Sequence, residues 1–135
     1  MDSVSSPVSS PQRNLSPRRS ILLVEDDDAV RRSLQLLLSA RGHTVRAYSS
    51  ALGLAQDPAA FGCDCLVADL LMPPTDAIAL LGALRDAGWK GRAILISGNL
   101  HEEWETKAQA AGFEAVLAKP ISDSSLVRVV EGRPG

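Results

Sequence analysis

What this 135-residue chain lacks narrows its possibilities first. No apolar run approaches the ~20 residues that a membrane-spanning helix needs; the strongest, Ile21 to Val24 and Ala93 to Ile96, are short. Met1 to Ser20 carries Ser, Pro and Arg without the apolar centre of a secretory signal, so a cytoplasmic location is expected. Basic residues are not in excess. The 14 Lys and Arg stand against 16 Asp and Glu, a formal net charge of −2, whereas a dedicated nucleic-acid surface needs clustered positive charge. Neither nucleic acid nor membrane is expected as a direct partner. Only two cysteines are present, Cys63 and Cys65, and no second pair exists to complete a metal or redox site. They read as small apolar side chains of a buried strand.

The length suits one compact domain. Residues 1–19 repeat Ser-Pro at Ser6-Pro7, Ser10-Pro11 and Ser16-Pro17 and hold little apolar surface to offset ordering, so they read as a flexible tail. The folded unit is expected over 20–131, with a short tail at 132–135. Within it, short apolar runs alternate with segments of helical period, the pattern of a parallel sheet covered by helices on both faces. The expected strands are Ile21–Val24, Val45–Tyr48, Cys65–Ala68, Ala93–Ile96 and Ala115–Ala118. All but Val45–Tyr48 are almost continuously apolar, as strands buried on both faces should be. Val45–Tyr48 alternates, which suits an edge.

Val30, Leu34, Leu37 and Leu38 define a helix that Asp27 or Asp28 can cap and Gly42 can close. Ala77, Leu80, Leu81 and Leu84 define a second, with Asp76 as cap and Gly88 at its end. Segments near 51–57, 101–111 and 123–131 complete five βα units.

In an open parallel sheet, ligands bind beyond the carboxyl ends of the strands. There the sequence places Glu25, Asp26, Asp27 and Asp28 after the first strand, Asp69 after the third, Ser97 after the fourth, and Lys119-Pro120 after the fifth. Converging carboxylates resist ionisation unless a cation neutralises them, and oxygen-only ligands favour Mg²⁺. A lysine and a hydroxyl across the pocket offer contacts for a phosphoryl group. The constellation suits phosphoryl transfer to a carboxylate.

On these residues the chain closely resembles the receiver domains of two-component response regulators over about residues 20–131. The resemblance is carried by Ile21-Leu22-Leu23-Val24-Glu25-Asp26-Asp27, Asp69-Leu70-Leu71-Met72-Pro73, Ile96-Ser97-Gly98 and Lys119-Pro120. It implies a five-stranded, doubly wound parallel sheet of flavodoxin-like order 2-1-3-4-5. It also implies a single-domain phosphoprotein of a phosphorelay, signalling by partner binding. Asp69 would be the phosphoacceptor. Asp26, Asp69 and the backbone carbonyl of Leu71 would bind Mg²⁺, Glu25 would act through water, and Ser97 and Lys119 would contact the phosphoryl group. A histidine kinase or histidine phosphotransfer protein would be the donor.

Departures from the family pattern concern the readout. Val116 stands where a switch aromatic is usual, Ile121 where Phe is common, and Ala77 where Gly is usual, a change that alters the loop after Asp69 if backbone freedom is needed there. The ending Glu131-Gly132-Arg133-Pro134-Gly135 is compatible with a natural terminus or with the start of a linker. Two other readings stay open. One is a degenerate receiver acting as a constitutive interaction module, which the complete acid, Ser and Lys set argues against and Val116 keeps open. The other is an aspartate-nucleophile phosphohydrolase, which generally carries a second Asp two residues after the nucleophile, where this chain has Leu71. On the leading reading, the only chemistry of the chain's own is slow self-phosphorylation and self-dephosphorylation.

Overall fold

The computed structural model describes residues 18–72, 75–98 and 102–132, with the side chains of 71 and 72 left aside. Most of the 1–19 tail expected from sequence lies outside these residues. Strands β1 (Ser20–Val24), β2 (Thr44–Tyr48), β3 (Cys65–Asp69), β4 (Arg92–Ser97) and β5 (Ala115–Ala118) form one parallel sheet of order β2-β1-β3-β4-β5. The fold is the expected one.

Alternation along the strands divides the core in two. Ile21, Leu23, Cys65, Val67, Ile94 and Ile96 point to one face, covered by Leu34 and Leu38 of α1 (Asp28–Ala40) and Leu126 and Val130 of α5 (Asp123–Val130). Leu22, Val24, Leu66, Ala68 and Leu95 point to the other. They meet Leu80, Leu81 and Leu84 of α3 (Ala77–Asp86) and Ala108 of α4 (Glu102–Ala111). Two buried faces explain the unbroken apolar runs of β1, β3 and β4. β5 departs from that expectation: it is apolar throughout yet forms the second edge, with its residues half-buried or exposed. Cys63 and Cys65 are free and buried in opposite core clusters. Burial pushes the Cys65 thiol up to about 12, so it stays protonated.

Asp27 is the N-cap of α1, its carboxylate accepting from the Val30 N–H at 3.0 Å. Asp28 is already helical and pairs with Arg31 at 2.6 Å, so of the two candidate caps the structure uses Asp27 and not Asp28. Gly42, at φ 93°, turns the chain out of α1 and donates to the Ser39 carbonyl. Asp76 caps α3 by accepting from the Ala79 N–H at 2.8 Å, and Ala77 opens that helix with its N–H on the Leu70 carbonyl.

The helix expected at 51–57 forms later. A 3₁₀ turn spans Leu54–Gln56 and the helix α2 only Pro58–Phe61. Asp57 caps it from the Ala59 N–H and Pro58 occupies its first turn, a start signal that overrides the weak apolar spacing upstream. At the end of the sheet far from Asp69, the buried Glu131 side chain accepts from both Arg41 and His43. His43 Nδ1 accepts the Arg19 N–H, which leaves Nε2 as the donor to Glu131. No helix among the described residues is long and apolar enough to cross a membrane.

The two acids at the start of α1 should respond differently to substitution. Asp27→Ala is expected to be less stable than Asp27→Asn, which keeps a cap, by about 0.5–2 kcal/mol in urea unfolding. Asp28→Ala and Asp28→Asn should lie closer together, and the reverse ranking would contradict the assignment of the cap.

Candidate functional site

The strand order brings the ends of β1, β3, β4 and β5 side by side; β1 leads into two residues of the candidate site, Glu25 and Asp26, and each of the others contributes one. Glu25 follows β1 directly and is fully buried. Its N–H donates to the Tyr48 carbonyl at 3.0 Å, and its Oε2 accepts from the Asp27 N–H at 3.0 Å. Asp69 is the last residue of β3 and is 8% exposed; Ser97 is the last residue of β4 and is 2% exposed. The Lys119 N–H donates to the Ser97 carbonyl at 2.9 Å, which ties the end of β5 to β4.

Lys119 is the centre of the arrangement. Its Nζ donates to Asp69 Oδ2 at 3.2 Å and lies 2.9 Å from Glu25 Oε1. The buried Glu25 Oε1 has this close ion pair with the Lys119 ammonium as its partner. Burial pushes the Glu25 carboxyl above its ordinary range, against the pull of Lys119 and the Asp27 N–H; the charge of Asp69 pushes it further up. Burial alone would lower the ammonium of Lys119. Its contacts with Glu25 and the charge of Asp69 outweigh that and raise it, so it remains charged at neutral pH.

Glu25, Asp26 and Asp69 each offer a carboxylate oxygen, all within 4.8 Å of one another, and Asp26 alone is exposed. This donor set fits a hard divalent cation. Mg²⁺ takes oxygen ligands, keeps several waters and binds one or two carboxylates directly, which suits an all-carboxylate trio with one exposed member. Leu71 pairs with Asp76 in a two-residue antiparallel ribbon beyond β3. Val116 is half-buried on the α3/α4 face of the sheet, where Trp104 of α4 packs against the same apolar cluster. Ile121 packs on the other face.

The sequence pattern of the response regulator receiver domain matches residues 21–131. The chain belongs to this family. It is 29% identical over 119 residues to the response regulator protein TodT of Pseudomonas putida, covering 87% of this chain and 52% of that one. It is 29% identical over 113 residues to the transcriptional regulatory protein FixJ of Azorhizobium caulinodans, covering 84% and 54%. A segment of the sensor kinase CckA of Brucella abortus is 32% identical over 120 residues, 87% of this chain and 13% of that one. The receiver thus spans about half the length of TodT and FixJ. Among solved structures, a putative response regulator from Chloroflexus aurantiacus superposes with a TM-score of 0.78 at 26% identity, covering 86% of this chain and 97% of that one. The signal receiver domain of an HD domain-containing protein from Pseudomonas fluorescens gives 0.77 at 26%, covering 86% and 94%.

Of the residues expected from sequence, Glu25, Asp26, Asp69 and Lys119 meet in one pocket of this receiver, and Ser97 ends the strand beside them. Arg31 is a neighbour that the sequence does not single out. It donates to the Glu25 carbonyl at 2.9 Å, and its only local signal is the i, i+3 spacing from Asp28.

Because the ammonium competes with any cation for the same carboxylates, Lys119→Met is expected to bind Mg²⁺ several-fold more tightly than the parent in calorimetry. Weaker binding would mean that Lys119 helps to hold the acidic pocket in shape more than it competes for it.

Proposed function

We propose that this receiver is a phosphorylation switch that accepts a phosphoryl group on Asp69. The observation that carries the reading is the position of Lys119 Nζ, within 3.2 Å of both Glu25 and Asp69 at the open end of the sheet. In the transfer, an Asp69 carboxylate oxygen attacks phosphorus. A P–O bond forms, the P–N bond of a phosphohistidine breaks, and the imidazole leaves with the bonding pair and takes up a proton. Mg²⁺, when held by Asp26, Asp69 and the Leu71 carbonyl with Glu25 acting through water, offsets negative charge on the transferring oxygens. Lys119 exchanges part of its contact with Asp69 for a phosphoryl oxygen, and the Ser97 hydroxyl donates to another.

A histidine kinase or histidine phosphotransfer protein is the proposed donor. A groove of about 520 Å³ between α1 and the segment after β5 suits its approach. Ala29, Val30, Leu34, Pro120 and Ile121 line it, and it reaches Lys119. Output then comes through a protein partner in the cytoplasm, and the receiver's own phosphorylation and hydrolysis are slow. Val116 favours a second reading, in which the domain binds its partner constitutively; Leu71 disfavours a phosphohydrolase, which would need an acid at that position.

Acetyl phosphate with Mg²⁺ is the test, read by phosphate-affinity electrophoresis. A retarded band is expected for the parent and none for Asp69→Ala or Asp26→Ala. Retardation that survives in Asp69→Ala would overturn the proposal.

A further inference from the structure

Asp26 is the exposed member of the acidic trio, so packing does not aim its carboxylate. Its backbone has to. The peptide bond entering Asp26 begins at the Glu25 carbonyl, and peptide planarity means that fixing this carbonyl fixes the plane from which Asp26 departs. That carbonyl accepts from Arg31 Nη1 at 2.9 Å. The other terminal nitrogen of the same guanidinium, Nη2, donates to Asp28 Oδ1 at 2.6 Å. Arg31 lies one turn into α1 with its side chain 22% exposed, so a rigid planar fork joins the β1 end to the first turn of the helix. The Glu25 N–H on the Tyr48 carbonyl and the Asp27 N–H on Glu25 Oε2 restrain the residues on either side of Asp26.

We infer that Arg31 is a positioning residue for metal binding, holding the Glu25–Asp26 peptide so that Asp26 faces Asp69. The inference rests on the reading that Asp26 and Asp69 hold Mg²⁺. It assigns Asp28 a matching part: its carboxylate neutralises a guanidinium that would otherwise oppose a cation nearby. Charge and positioning predict opposite signs. If Arg31 acted only as a positive charge near the acidic pocket, its removal would tighten Mg²⁺ binding. If it positions the loop, removal weakens binding, since partners that orient metal ligands are commonly worth roughly 10–100-fold in affinity.

Calorimetric titration of the full chain with Mg²⁺ separates the two, on the parent, Arg31→Met, Arg31→Lys and Arg32→Met. Arg32 is the exposed neighbour on α1 and supplies the same charge change without a bond to the loop. The expected result is about a tenfold loss for Arg31→Met, a smaller loss for Arg31→Lys, and parent-like or tighter binding for Arg32→Met. Parent-like or tighter binding by Arg31→Met, with its melting temperature retained, overturns the inference. Should Arg31→Met fail to fold, Arg31→Lys decides: it keeps the charge but lacks the fork, so roughly threefold weaker binding supports positioning and parent-like affinity overturns it. A parent that binds no Mg²⁺ overturns both this inference and the reading beneath it.

Discussion

A single ammonium, Lys119 Nζ, stands between two buried carboxylates that come from opposite halves of the chain, Glu25 at 2.9 Å and Asp69 at 3.2 Å. Buried like charges cannot coexist without such a partner, so the pocket is stable only while strand ends distant in sequence stay in register. The strand order supplies that register. It sets β3 between β1 and β4 and β5 beside β4, and the Lys119 N–H on the Ser97 carbonyl extends the pairing past the end of β5. The aliphatic core below, with Ile21, Leu66, Ile94 and Leu95 fully buried, keeps the strands from sliding.

The same constraint makes the pocket responsive. On the proposed reading, a phosphoryl group on Asp69 would compete for the Lys119 ammonium, which its two ion pairs hold in the pocket. Lys119 directly follows β5, an edge strand whose residues are half-buried or exposed, and its N–H ties that strand end to Ser97 of β4. Val116 is too small to repeat the movement of an aromatic ring. One of the aromatics packed against the same apolar cluster as Val116, Trp104, is half-buried near the start of α4 with the Lys107 ammonium 4.9 Å from its ring.

Much of this is legible in the sequence, and the reasons are local. Glu25, Asp69, Ser97 and Lys119 each directly follow an apolar run, with Asp26 next to Glu25, and Asp27, Asp76 and Gly42 announce helix ends through side-chain or backbone chemistry confined to a few residues. The features that sequence leaves hidden depend on distance or competition. Apolar continuity suggests a buried β5, although its place at the edge is set by the order of the whole sheet. The start of α2 lies later than the upstream apolar spacing suggests because Asp57 and Pro58 outweigh a few alanines and leucines. Glu131 meets His43 and Arg41 across separations of 88 and 90 residues, with no local mark on any of them. Arg31 looks like one of many helix-surface cations, since its acceptor is a backbone carbonyl and carries no side-chain signature.

If the pocket works as proposed, Asp69 and not its acidic neighbours carries the phosphoryl group. Borohydride reduction after treatment with acetyl phosphate and Mg²⁺ tests this most directly, because it converts an aspartyl phosphate irreversibly into an alcohol that peptide mass mapping can locate. Reduction is expected at position 69 alone, and only when Mg²⁺ is present. Reduction at Asp26 or Asp27, or equal labelling of all three, would contradict it.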